Sequence, residues 1–363
     1  MHKTFKLLKL LFFGIVFLTI TNSFLYSQHT KFKITTQIKT TPVKDQAKSG
    51  TCWSFATISF LESELLRMGK GEFDLSEMYM VSCAYPMKAD DYMRWHGNNT
   101  FAPGGQAHDV MNVIRQYGIV PDSVYPGFIC GAKKHNHDEL DGIIEAIMKT
   151  YIKQDKPSLL YKKVLGSVLD DYLGDAPTTF NYMGKTYTPK SFTDYLGIKP
   201  DNYIEITSFN HHPGYSQFVL EVPDNWSKDL YYNVPMDDLI QVIDNALKNG
   251  YTVTWDGDVS ENDYEFSNGY LNVHESSATI TADYRQKLFD EWITTDDHLM
   301  HITGIATDED GNKYYLTKNS WGSKIVNDGY LYLSENFVRL KTIAIMVHKK
   351  SLPREIEKKL DIE

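Results

Sequence analysis

Apolar residues recur at helical spacing after residue 52. Phe55, Ile58, Leu61, Leu65 and Met68 fall on one stripe, and Gly69 ends it. The pattern predicts an amphipathic helix opening at Cys52. Ser76 is placed to cap a second, short helix running toward Cys83. Val110, Val113, Ile114 and Tyr117 make a third stripe behind Gly104-Gly105, closed by Gly118. Between 130 and 235 the pattern is mixed. A helical stripe of Val164, Val168, Leu169 and Tyr172 precedes 186–195 and strand-like runs at 203–209 and 217–222, separated by turn residues. A further helix carries Leu239, Ile240, Ile243 and Leu247, with Asp237 as its cap and Gly250 as its stop. Beyond it, alternation predicts strands at 251–255, 301–307, 314–319, 329–334 and 342–348, with a hairpin turn at Asp310-Gly311. Helices first and strands afterwards give an α+β fold class.

A chain of 363 residues buries a sizeable core, as one large domain or two ordinary ones. The net charge of −10 argues against nucleic acid or an anionic membrane as the main partner. Lys3, Lys6 and Lys9 precede an apolar, uncharged run at 10–20, and small residues follow at 21–23 and at Ser27. This is the pattern of an export signal, too short in its apolar core for a membrane span. Residues 1–27 are therefore expected to be removed, leaving 28–363 with no membrane anchor, in a periplasm, on a cell surface or in the medium. Three cysteines cannot make a disulfide framework, although Cys83 and Cys130 remain free to pair. His135, His137, His211 and His212 suggest metal, but no carboxylate or cysteine neighbour completes a convincing ligand set, so no metal or cofactor is expected.

Cys52 follows a Ser49-Gly50-Thr51 turn and heads a helix. The positive end of a helix macrodipole favours thiolate over thiol, and Gln46 is near enough along the chain to bring an amide to the same place. Gln46, the run Cys52-Trp53-Ser54-Phe55-Ala56 and the distant Asn319-Ser320-Trp321-Gly322 together resemble the papain-like cysteine peptidases. Pro103-Gly104-Gly105-Gln106, Tyr232-Asn233-Val234-Pro235 and His298-Leu299-Met300-His301 are most similar to the bleomycin hydrolase and aminopeptidase C branch. The resemblance covers roughly residues 40–360, and several motifs in the right order make it specific.

That resemblance implies a papain-like two-lobed fold. A mainly helical lobe (28–129) would carry Cys52, and 130–235 would be a branch-specific insertion. A barrel-like antiparallel lobe (236–363) would carry a histidine and Asn319. Cys52 would be the nucleophile, with Gln46 and the Cys52 N–H forming the oxyanion hole. Asn319 would orient the proton-carrying histidine, and Trp321 would shield that bond. Two histidines compete for the role. His301 is preferred, as the residue expected to open a strand at the cleft edge, while His298 is taken for a turn residue beside Asp296 and Asp297. Gly104 and Gly105, with Trp321, are the expected substrate-binding positions, the glycines pairing with an extended peptide. Ser49 stands where papain-type enzymes carry a bridging cysteine, so that bridge is not expected. The segment after residue 348 matches the part just before this branch's C-terminal arm, and the arm itself is not seen. The implied activity is an exported thiol aminopeptidase acting on peptides; an endopeptidase of the same fold and a non-catalytic binding protein are the alternatives. A homo-oligomer, the hexameric ring of this branch, stays open.

Overall fold

The computed structural model describes residues 31–362, apart from 130, 262, 263 and 265. The expected export signal and Cys130 lie outside the described residues. Among those described, no helix is long and apolar enough to cross a membrane.

The helical part begins with α1 (Cys52–Arg67), α2 (Glu77–Arg94) and α3 (Ala107–Gln116), followed by α4 (Asp138–Ile152) and α5 (Leu160–Leu173). Their apolar faces share one core with the hairpin β2 (Phe180–Tyr182) and β3 (Lys185–Tyr187) and the helix α6 (Pro189–Leu196). Ser76 accepts from the Tyr79 N–H as the cap of α2, which is longer than its expected short helix. Gln106 and Asp109 close a capping box on α3.

The chain then builds β4 (Tyr203–Thr207), β5 (Gln217–Val219), β6 (Leu230–Asn233), α7 (Met236–Lys248), β7 (Val253–Gly257), β8 (Tyr270–Leu271) and α8 (Ala282–Asp290). It ends with β9 (His298–Thr307), β10 (Lys313–Lys318), β11 (Tyr330–Ser334), α9 (Glu335–Lys341), β12 (Thr342–His348) and α10 (Arg354–Lys359). Among the described residues ten strands form one sheet, nine of them in the order β5-β6-β4-β12-β7-β9-β10-β11-β8. The remaining strand, β1 (Lys33–Gln37), pairs with the far half of β9, where Lys33 lies opposite Thr307. Residues 130–235 thus divide between the lobes: α4 and α5 pack on the helical core, whereas β4, β5 and β6 extend the sheet.

Two local expectations change. Pro235, not Asp237, caps α7, because proline's fixed φ suits a helix entrance and Asp237 already lies in the first turn. More consequentially, α1 is buried on every side from Trp53 to Leu65 rather than amphipathic. Its polar residues face partners instead of water. Ser59 meets His301, while Glu62 accepts from the Leu75 N–H and from Thr41.

The lobes are also fastened through His108 of α3, whose Nδ1 lies 2.5 Å from Glu205 Oε2 on β4. Burial alone would pull this imidazole down, but Glu205, then Asp109 and Asp229, carry it from 6.5 up to about 9. A raised histidine contributes stability in full below pH 6.5 and loses it as pH rises through about 9. Urea unfolding at pH 6.5 and 9.5 should therefore show a loss of about 3 kcal/mol from this group, using about 1.4 kcal/mol per pKa unit. The same comparison in His108→Gln should lack that component.

Candidate active site

Cys52 is the first residue of α1, delivered by a tight approach in which Gly50 takes φ +60° against Pro103. Ser49 and Thr51 bond each other at 2.6 Å, closing the turn at the position where no bridge was expected. Burial pushes the Cys52 thiol up to about 12. The Leu299 backbone opposes this, and the carboxylates of Asp256, Asp296 and Asp224 add to it. The helix terminus therefore does not by itself produce a thiolate; desolvation outweighs it.

His298 opens β9, and its Nε2 lies 2.8 Å from Asn319 Oδ1. The same oxygen accepts from the Ser320 N–H at 2.7 Å, which fixes the amide's orientation. Nε2 must then carry the proton, leaving Nδ1 as the basic nitrogen. Trp321 stacks on the imidazole with centroids 5.0 Å apart and planes at 27°, and Phe266 meets Trp321 edge-on at 5.0 Å. The sheltering expected of Trp321 is thus present around His298. Burial draws the imidazole down to about 4, opposed by the Asn319 bond.

The expectation that His301 bonds Asn319 is corrected here. β9 starts three residues earlier than predicted, and an odd separation puts His298 and His301 on opposite faces of the strand. His301 turns toward α1, where Nδ1 lies 2.9 Å from Ser59 Oγ, and it is fully buried. Lys318 donates to the same hydroxyl at 2.8 Å. Burial and the Lys318 charge hold His301 well below 6.5, a neutral ring in a packed interior.

Gln46 is drawn alongside by two bonds to Ser320. Its N–H donates to the Ser320 carbonyl at 2.8 Å, and its Oε1 accepts from Ser320 Oγ at 2.5 Å. The Ser320 hydroxyl thereby fixes the orientation of the Gln46 amide. Gly105 packs against the Trp53 ring, next in sequence to Cys52, and Trp53 donates to the Pro103 carbonyl at 3.0 Å. A Cβ at Gly105 would lie 2.6 Å from Asp109 Oδ2, and one at Gly104 only 1.9 Å from Asp224 Oδ2. Among the described residues, His211 and His212 do find a carboxylate, Glu221, at 3.0 and 2.8 Å; it lies ten residues along the chain and reaches them only through the fold.

A cysteine at a helix start, a histidine bonded to an asparagine and a tryptophan stacked on that histidine coincide with matches to known families. Residues 175–363 match the Peptidase C1-like family and residues 29–161 the Papain family cysteine protease. The chain belongs to the Peptidase C1-like family. It is a cysteine peptidase. Aminopeptidase G of Lactobacillus delbrueckii subsp. lactis is 25% identical over 88% of this chain and 84% of its own length. Aminopeptidase C of Listeria monocytogenes is 24% identical over 88% and 83%. The crystal structure of PepW from Lactobacillus rhamnosis HN001 superposes with a TM-score of 0.76 over 92% of this chain and 85% of that one, at 22% identity, a likeness of fold. The papain-like α+β architecture expected from the motifs is therefore present.

Proposed function

We propose that this peptidase is an exported aminopeptidase that releases N-terminal residues through Cys52, His298 and Asn319. The observation that carries the catalytic assignment is the 2.8 Å bond from His298 Nε2 to Asn319 Oδ1 under Trp321, next to Leu299, whose backbone hydrogen-bonds the Cys52 thiol. Cys52 Sγ attacks the scissile carbonyl carbon while its proton passes to His298 Nδ1. The tetrahedral oxyanion takes hydrogen bonds from Gln46 Nε2 and the Cys52 N–H. His298 then gives the proton to the departing amine, leaving a thioester on Cys52. Water, deprotonated by the same Nδ1, hydrolyses that thioester and restores the thiol.

Exopeptidase specificity is supported by relatives named as aminopeptidases on 83–84% of their own length. Export is supported by the basic and apolar pattern of residues 3–20. One fluorogenic peptide, offered under reducing conditions with its N-terminus free or acetylated, tests the specificity. Turnover of the free form and little of the acetylated form is expected. Equal cleavage of both would make the protein an endopeptidase.

A further inference from the structure

The ten residues between β5 and β6 leave the sheet and reach across to the helical lobe. Trp226 Nε1 donates to Asp109 Oδ2 at 2.9 Å, Asn99 Nδ2 to the Trp226 carbonyl at 2.8 Å, and Ser227 Oγ lies 3.0 Å from His108 Nε2. The loop is thereby tied down beside Gly104, with the Asp224 carboxylate against the bare Cα of that glycine. A peptide extended along Gly104 would meet Asp224 there.

Two further carboxyls share this corner. Asp256 lies on β7 opposite Leu299, so its side chain shares that residue's face, turned toward α1 while Trp255 enters the sheet core. Asp296 precedes β9 and accepts from Gln106 Nε2 at 2.7 Å. Asp256 is 3% exposed, and among the described residues no group besides Asp296 hydrogen-bonds either of its oxygens. It is in contact with Asp296, an arrangement two ionised carboxylates cannot hold. Burial, then Asp296, raises Asp256 well above the carboxylate range; burial, then the Asp224 charge, raises Asp296 to about 8, opposed by its bonds to Asp256 and Gln106. Lys88, whose charge acts on Asp224, donates to the carbonyls of Ala102 and Gly104. A buried acidic corner with an unsatisfied carboxyl, within electrostatic reach of Cys52, has the chemistry to receive an ammonium group.

We propose that Asp224, Asp256 and Asp296 form the receptor for the α-ammonium group of the substrate, and that the β5–β6 loop closes the cleft beyond it. The inference rests on the aminopeptidase reading and names the groups of this chain that enforce it. An N-terminal residue enters with its side chain and amine on the non-primed side of Cys52. Its ammonium supplies the counter-charge that lets these carboxyls ionise together, and the loop leaves no path for a preceding residue.

The test compares kcat/KM for free and N-acetylated leucyl fluorogenic amides in wild type, Asp256→Asn and Asp224→Asn. The free-to-acetylated ratio should fall tenfold or more in each variant, chiefly through a higher KM for the free amine. Asp256→Asn should also keep or raise the thermal midpoint, since a neutral amide can donate to Asp296 without a second buried acid beside it. An unchanged ratio in both variants, with turnover intact, overturns the receptor and leaves the aminopeptidase standing. So does a blocked peptide with lysine before the cleaved residue that outruns its leucine counterpart and loses that advantage in Asp256→Asn, since the corner would then read a side-chain cation. No turnover of either amide by the wild type, with Cys52 still alkylated by iodoacetamide, overturns the aminopeptidase reading itself and the receptor with it.

Discussion

His298→Ala should lower turnover of an unblocked fluorogenic peptide by about 10²–10⁴, the range typical of a positioned proton carrier. His301→Gln should stay within a few-fold of wild type. The two residues lie three apart on one strand, and sequence position alone barely separates them. Geometry does. His298 is bonded to Asn319 and covered by Trp321, whereas His301 faces Ser59 and Lys318 inside the packed interface of α1 and β9. Glutamine at 301 retains a polar end for Ser59, so a loss of activity there without a loss of thermal stability would return the proton-carrying role to His301. Equal losses in both variants would separate the role from either ring.

Cys52→Ser should remove turnover altogether. Deleting the nucleophile of a peptidase triad costs up to about 10⁶, and a serine lacks the acidity to replace a thiol here. The informative measurement is the pH dependence of iodoacetamide labelling at Cys52. Burial, with smaller effects from their neighbours, places the thiol at about 12 and the imidazole at about 4, so neither ionises easily by itself. Transfer of the proton from Sγ to Nδ1 creates both charges together, each the counter-ion of the other. Labelling should accordingly be fast near neutral pH in wild type. In His298→Ala it should become slow at pH 7 and climb steadily toward alkaline pH, as expected of a thiol that must lose its proton to water. Identical labelling profiles in the two proteins would rule out this shared ionisation.

Much of the architecture was legible because its signals are local. The stop at Gly69, the cap at Ser76, the turn at 310–311 and the alternation of 342–348 each mark an element observed in the structure. The histidine was not legible, and a one-residue irregularity explains why. Near the turn, β10 pairs with β9 as Leu316 opposite Gly304. Continued without interruption, that register would set Asn319 directly across from His301. A bulge intervenes, so that Thr317 lies opposite Ile302 and Lys318 opposite His301. Asn319, the next residue, faces the other way, toward the side that His298 occupies. Nothing in the identities of residues 303 and 316–317 announces a bulge. The burial of α1 was hidden for a related reason. Ser59, Glu62 and Glu64 look like a solvated face until the sheet is folded onto them. The acidic corner was equally out of reach, because Asp224, Asp256 and Asp296 come from separate stretches of chain and only the sheet order assembles them.

The pairing of β9 with β10 also has a practical side. His298 stands at one end of a ten-residue strand and the exposed 308–312 turn at the other, about 30 Å away at the usual rise per residue. Asp308 holds that turn from within, accepting from the backbone of Asp310 and Asn312 and from the Asn312 side chain. A reporter domain, an affinity handle or a surface-coupling cysteine spliced between Glu309 and Gly311 would hang from the end of the molecule remote from the reacting atoms. The enzyme immobilised there would present its mouth to the solution.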